Sequence, residues 1–278
     1  MKTIITAMLA VLTFTCCMAR EKKPAIKSRL KGYPSGAIDE YHFHAGKAIV
    51  KGRFVNRTEH SSSTFNVTGT DLFSNQEFVR TINIEPDGSF LELISLLNSG
   101  WVYFNGAEIP TAFIAVGYTL DLLINGTGDE TTISGSGATG EVNSVWPRLE
   151  TQFASKETRT PWEEMNREFM LEWKNRKVRE LDRIASAIDA DTITLLNGCS
   201  DYAKDVLKTS LLAMPLEQAL VALHQWWWRT RSEDRKPNPA LTISSDSFFD
   251  FLSARQSYLM DNGLMILAAD GGGVVHYL

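Results

Sequence analysis

Usable sulfur is scarce in this chain. Of its three cysteines, Cys16 and Cys17 fall inside the extreme N-terminal apolar segment, which leaves Cys199 alone in the part that folds. That excludes a disulfide-stapled scaffold, and with no Cys-x-x-Cys an intramolecular dithiol cycle has no second thiol to close on. Cationic runs are also wanting: 28 lysines and arginines stand against 33 acids, a net charge of −5, and no stretch could neutralise a run of phosphates. A nucleic-acid binder is not expected. Gly-x-Ser-x-Gly, the phosphate loop and His-Glu-x-x-His are all missing, so the common hydrolase and nucleotide signatures are absent. The 278 residues are nevertheless 44% apolar, enough for one large or two ordinary domains with proper cores, so disorder is excluded as well.

The N-terminus carries an address. Residues 1–19 read as a secretory signal: Lys2, an apolar stretch from Ile4 to Phe14, and the small-residue exit Cys17-Met18-Ala19 before Arg20-Glu21-Lys22-Lys23. That stretch is too short for a membrane-spanning helix of about 20 residues, and no later segment is expected to reach that length without charges. Soluble export after cleavage at Ala19 is the leading expectation; lipidation at Cys16 or Cys17 is the second, since Thr13 and Phe14 fit a lipoprotein signal poorly. The resulting location is the periplasm or cell envelope.

Residues 20–44 are charged, with Pro24 and the cluster Gly32-Tyr33-Pro34-Ser35-Gly36, and read as a flexible linker. Residues 45–140 then show short β-branched and aromatic runs separated by turn residues, the pattern of an antiparallel β-sandwich of about seven strands. Val50 and Phe54 alternate with Lys51 and Arg53, and Ile82 and Ile84 with Asn83 and Glu85, which gives each strand one wet face. Glu85-Pro86-Asp87-Gly88 predicts a hairpin joining a strand ending at Ile84 to Ser89–Leu93. The glycine-rich stretch from Gly126 to Gly140 reads as loose chain closing the sandwich. Residues 141–278 shift to helical periodicity, so the fold class is α+β in two segregated parts. Thr160-Pro161-Trp162-Glu163 predicts the start of a helix running to about Ile188, with Phe169, Trp173, Leu181 and Ile184 inward and Arg167, Lys174 and Arg179 in solvent. Helices over Asp201–Ala213 and Leu216–Arg229, divided by Pro215, and over Ser247–Met260 complete the count. The apolar ending Val274-Val275-His276-Tyr277-Leu278 reads as a chain stopped before a further module.

Candidate chemistry is thin. His42 and His44, with His60, could gather a metal, but no acid or thiol stands at supporting spacing, so a solvated pair is the simpler reading and no metal or cofactor is called for. Glu164, Glu168 and Glu172 share a helical face that an ordinary wet surface explains. Cys199 follows Asn197-Gly198 near a helix start, where a dipole could activate the thiol; burial as a small hydrophobe is favoured. Trp226, Trp227 and Trp228 span roughly 200° of helical arc and cannot share one face, so they are either a docking patch or wedged between helices. Trp101 and Tyr103 are the aromatic candidates for a ligand platform, read as pointing to opposite strand faces. Gly135, Gly137 and Gly140 have the wrong spacing for a dinucleotide loop and read as turn residues.

Three stretches taken together resemble a known family: Ile82-Asn83-Ile84-Glu85-Pro86-Asp87-Gly88-Ser89-Phe90, Val116-Gly117-Tyr118-Thr119-Leu120-Asp121-Leu122, and Gly135-Ser136-Gly137-Ala138-Thr139-Gly140-Glu141-Val142-Asn143. Their succession is similar to the N-terminal β-sandwich and helical part of the Bacteroidetes envelope thioredoxin-like proteins, of the thiol-disulfide oxidoreductase or alkyl hydroperoxide reductase/thiol-specific antioxidant type. Phe248-Phe249-Asp250-Phe251-Leu252 resembles the family's helical segment, while Tyr118 departs from its usual acid. The resemblance implies a parent with redox activity in a C-terminal thioredoxin-fold domain. No position here matches that domain's Cys-x-x-Cys, so no catalytic residue carries over. The expectation is a non-enzymatic accessory module whose partner is another protein or the missing thioredoxin domain. Two alternatives stay open: a thiol oxidoreductase or peroxidase using Cys199, and a carbohydrate- or peptide-binding envelope protein.

Overall fold

Alternation builds the first half of the molecule. The computed structural model describes residues 43–58, 61–71, 76–106, 109–126, 131–154, 166–229, 250–252, 255, 265 and 268. Among the described residues eight strands form: β1 (Gly46–Val55), β2 (Thr64–Asp71), β3 (Gln76–Asn83), β4 (Ser89–Leu96), β5 (Gly100–Asn105), β6 (Ala112–Ile114), β7 (Thr119–Asn125) and β8 (Thr132–Gly135). They make two four-stranded sheets, ordered β4-β1-β7-β8 and β3-β2-β5-β6. Every pairing is antiparallel except β1 with β7, which run parallel. Val50, Ile94, Leu120 and Leu122 of the first sheet and Val67 and Ile82 of the second are wholly buried in one cluster. Each such side chain contributes about 1.5–3 kcal/mol by leaving water.

The turn at Glu85-Pro86-Asp87-Gly88 forms, with the Gly88 N–H donating to the Glu85 carbonyl at 2.8 Å and Gly88 at φ +85°. It does not close a hairpin. β3 pairs with β2 in one sheet and β4 with β1 in the other, so the turn is a corner carrying the chain across the sandwich. Ile84 and Phe90, on either side of it, both point into the core between the sheets. Only glycine fits at 88, because a Cβ there would strike the Phe54 carbonyl oxygen, whose own N–H donates to the Gly88 carbonyl at 2.8 Å.

Helices follow as α1 (Gly137–Phe153), α2 (Arg167–Asp189) and α3 (Asp201–Arg229), with a short 3-10 turn at Thr194–Leu196. Residues 131–140 of the glycine-rich stretch are more ordered than its composition suggested: β8 pairs with β7, and α1 starts at Gly137. Helix α2 begins on Asn166, whose side chain accepts the Phe169 N–H at 2.8 Å; the Thr160 cap lies outside the described residues. Its inner face holds Met170, Trp173, Leu181 and Ile184, and also Lys174. The structure corrects the solvated placement of that lysine, which is buried and donates to Asp250 at 3.0 Å. Lys177 is buried too, over the Trp173 ring at 4.7 Å and 3.1 Å from Glu180. Helix α3 continues through Pro215 instead of dividing there. Burial of Leu211, Leu212, Leu216 and Leu220 on both sides of the proline outweighs the lost backbone hydrogen bond. By length and mean hydropathy (1.4) this helix could cross a membrane, contrary to the expectation from sequence. In the fold, 72% of the apolar stretch is buried, so α3 packs as a core helix.

Candidate functional site

Two features stand out: the seam between sandwich and helices, and the outer face of the first sheet. At the seam, β6 is an edge strand of only three residues, all buried. Its unpaired backbone groups find partners on α1. The Asn143 amide oxygen accepts the Phe113 N–H at 2.8 Å, and the amide nitrogen donates to the Phe113 carbonyl at 2.8 Å and to the Thr139 carbonyl at 2.8 Å. One turn earlier, Thr139 Oγ1 accepts the Ala115 N–H at 2.9 Å. Positions 139 and 143 are four apart, so one face of the helix presents both groups to the strand. Two side chains thus stand in for a neighbouring strand, and the edge is closed to any other.

The apolar packing across the seam is continuous with this. Phe43, Phe113 and Ala115 belong to the same cluster as Val142, Leu149, Ile184 and Leu207 of the three helices. Trp101 lies between Phe113 and Trp146, its ring 5.6 Å and 5.5 Å from theirs, in edge-to-face contacts. A second tie joins α1 to the start of α3: the Glu141 carboxylate accepts the Ser200 N–H at 2.8 Å and hydroxyl at 2.6 Å.

On the outer face of the first sheet, β1 carries Lys51 and Arg53, flanked by Leu91 and Leu93 of β4 and by Asp121 and Leu123 of β7. These leucines are conspicuous: Leu91 is 70% exposed, Leu93 48% and Leu123 46%. A shallow groove of about 550 Å³ runs between Leu91 and Leu123 over Lys51 and Arg53, bounded also by Glu85 and Ser89. Lys51 Nζ lies 3.3 Å from an Asp121 oxygen, both half-exposed.

The residues singled out from sequence are scattered. Cys199 is partly buried beside Glu141, and burial first, then that carboxylate, push its thiol pKa up from the usual 9.0. A nucleophilic thiol needs the opposite shift. Trp226 is buried with Met170, Trp173 and Ala222 between α2 and α3, the wedged arrangement rather than a docking patch. Trp227 and Trp228 belong to α3, but their side chains lie outside the described residues. Of the histidines named above, only His44 is described, exposed just before β1; His42 and His60 fall outside. Glu168 and Glu172 lie on the wet side of α2, and Glu164 is not described. Among the described residues no three His, Cys, Asp or Glu side chains come together to hold a metal ion. Trp101 and Tyr103, two residues apart, share one strand face; the structure corrects their opposite placement and gives Trp101 to the seam while leaving Tyr103 53% exposed. The sequence reading passed over Asn143. Its only signal was a polar residue at a helix position, Val142 and Trp146 flanking it, that periodicity turns inward.

No family model matches this chain. A search of curated proteins also finds no match. Among solved structures there is a likeness to a putative cell adhesion protein from Bacteroides ovatus ATCC 8483, at 14% identity and a TM-score of 0.22. It covers 34% of this chain and 44% of that one, so less than half of the neighbour's length is spanned. Similarity at that level carries no argument about fold or activity.

Proposed function

We propose that this chain is a non-enzymatic module, exported to the periplasm or cell envelope, that holds and orients a partner protein. The partner class is a thioredoxin-fold domain of the kind its motifs resemble. The observation that supports this most is the seam: a two-pronged side-chain clasp and a shared apolar core tie the sandwich to the helices. A partner seated on the helices would therefore be held at a fixed orientation to the sandwich, which is what a positioning module needs. The shift of the Cys199 thiol away from reactivity speaks against the oxidoreductase alternative.

The test has two arms. The purified full chain, given dithiothreitol, should not accelerate insulin reduction above the reagent alone. A separately produced thioredoxin-fold domain bearing Cys-x-x-Cys should bind it saturably at one-to-one stoichiometry in calorimetry. Repeated turnover by the chain alone would overturn the non-enzymatic reading, and no heat of binding at about 100 µM of each protein would overturn the partner class. A carbohydrate-binding reading retains one favourable observation, the exposed Tyr103 ring beside Thr68 in the register of β2 and β5. Saturable retardation of the chain in polysaccharide-containing native gels would favour it instead.

A further inference from the structure

The proposed positioning role makes no use of the outer face of the first sheet. That face is poorly suited to water, with three leucines about half or more exposed on β4 and β7, the strands on either side of β1. It is also not a surface of one sign. Along one row of the sheet the register places Leu91 of β4, Lys51 of β1, Asp121 of β7 and Ser134 of β8 side by side. The next row runs Ser89, Arg53, Leu123 and Thr132. A polyanion or polycation would meet a like charge in the first row, whereas a surface of the same composition need not.

We infer that this face is the contact between two copies of the chain, packed sheet to sheet about a two-fold axis that runs along the strands between β1 and β7. Such an axis exchanges neighbouring strands, so Lys51 of each copy meets Asp121 of the other, twice over, as an isologous contact requires. Arg53 then meets the aliphatic body of Leu123. β4 lies over the facing β8, whose outward residues on this side are the small Thr132 and Ser134, leaving room for Leu91. An axis along β1 itself would instead set Lys51 against Lys51, and an axis across the strands would set cation against cation. At strand spacings of about 4.8 Å and a rise of about 3.3 Å per residue, the face projects roughly 400–500 Å². Side-chain relief raises its accessible area towards the about 800 Å² per partner that a stable pair buries.

Charge reversal with mixing tests this. Sedimentation velocity of the full chain should show a concentration-dependent dimer. Lys51→Glu makes the row wholly acidic and Asp121→Lys makes it wholly basic, so each variant alone should dimerise about tenfold or more weakly. An equimolar mixture of the two should recover dimer, since the carboxylate introduced on β1 of one chain faces the ammonium introduced on β7 of the other, although neither chain has regained its own internal ion pair. Both sites are half-exposed, and unchanged circular dichroism would verify folding. Leu123→Ser gives an independent arm, weakening the dimer without altering charge. A wild-type chain that stays monomeric to about 100 µM overturns the inference. So do variants that dimerise as wild type, or a mixture that does not recover, which is what coverage of the face by another segment or another protein would give. Binding of the thioredoxin-fold domain by these variants should be unchanged, which separates failure here from failure of the positioning role.

Discussion

Replacing Asn143 with alanine is the most direct test of the seam. The substitution removes the partner of both the N–H and the carbonyl of Phe113, a residue with no exposed surface. Water cannot take the place of the lost amide without opening the seam. Leaving a buried backbone group unsatisfied costs about 1–3 kcal/mol, so two cost roughly 2–6 kcal/mol. Alanine is the better helix former by about 0.7 kcal/mol, which offsets a small part. The expected net loss is roughly 2–5 kcal/mol, a large fraction of the about 5–15 kcal/mol that holds a domain together. Urea titration followed by tryptophan fluorescence measures it through the midpoint. Thr139→Val keeps side-chain volume and removes only the acceptor for the Ala115 N–H, so it should cost about 1–3 kcal/mol. Hydrogen exchange supplies the site-specific readout: the Phe113 and Ala115 amides should exchange faster in Asn143→Ala while Val50, in the middle of its sheet, is unchanged. A stability within about 0.5 kcal/mol of wild type, or unaltered exchange at Phe113, would refute the clasp.

Other perturbations follow from the same geometry. Cys199 should alkylate slowly with iodoacetamide at neutral pH, its rate rising only above the ordinary thiol range, and Glu141→Gln should speed it by removing a neighbouring negative charge; fast alkylation at pH 6 would contradict this. Gly137 stands at φ +48° with a Cβ position inside the Tyr118 ring, so Gly137→Ala should destabilise strongly and Tyr118→Ala should restore part of the loss, leaving about 1 kcal/mol from the backbone. Without that rescue the ring is not the obstacle. The Asp87 carboxylate accepts the Ser89 hydroxyl at 2.6 Å and N–H at 3.0 Å, which hold its pKa below the usual 3.8. The stabilisation it lends is complete above that usual value and fades as pH falls through the lower folded one. Carboxyl carbon shifts followed by NMR should show the Asp87 titration move upward in Ser89→Ala, and an unmoved curve would dismiss the hydrogen bonds as its cause.

Strand and helix types were legible from single residues because their neighbours settle them locally. Val50 and Phe54, alternating with Lys51 and Arg53, read as half-buried strand positions, and Gly88 after Pro86-Asp87 reads as a turn. What the turn joins is not local: each strand beside it takes the edge that buries its own inner face best, and that choice sent β3 and β4 to different sheets. Pro215 likewise reads as a break until leucines on both sides are seen to be buried together. Buried lysines are invisible to periodicity, since the Trp173 ring and the acids that accommodate Lys174 and Lys177 come from α2 itself and from Asp250, far along the chain.

By itself the sequence determined that a β-rich part precedes a helical one, that its strands alternate apolar with polar positions, and that Cys199 is the one cysteine beyond residue 17. Those follow from composition and spacing, which act over a few residues. Only the tertiary structure decided that Asn143 closes the edge of β6, that Cys199 sits beside Glu141, and that Lys51, Asp121 and three exposed leucines share one face. Each of these joins residues from separate elements, and such meetings are fixed by how whole elements bury their apolar sides rather than by any residue's own preference.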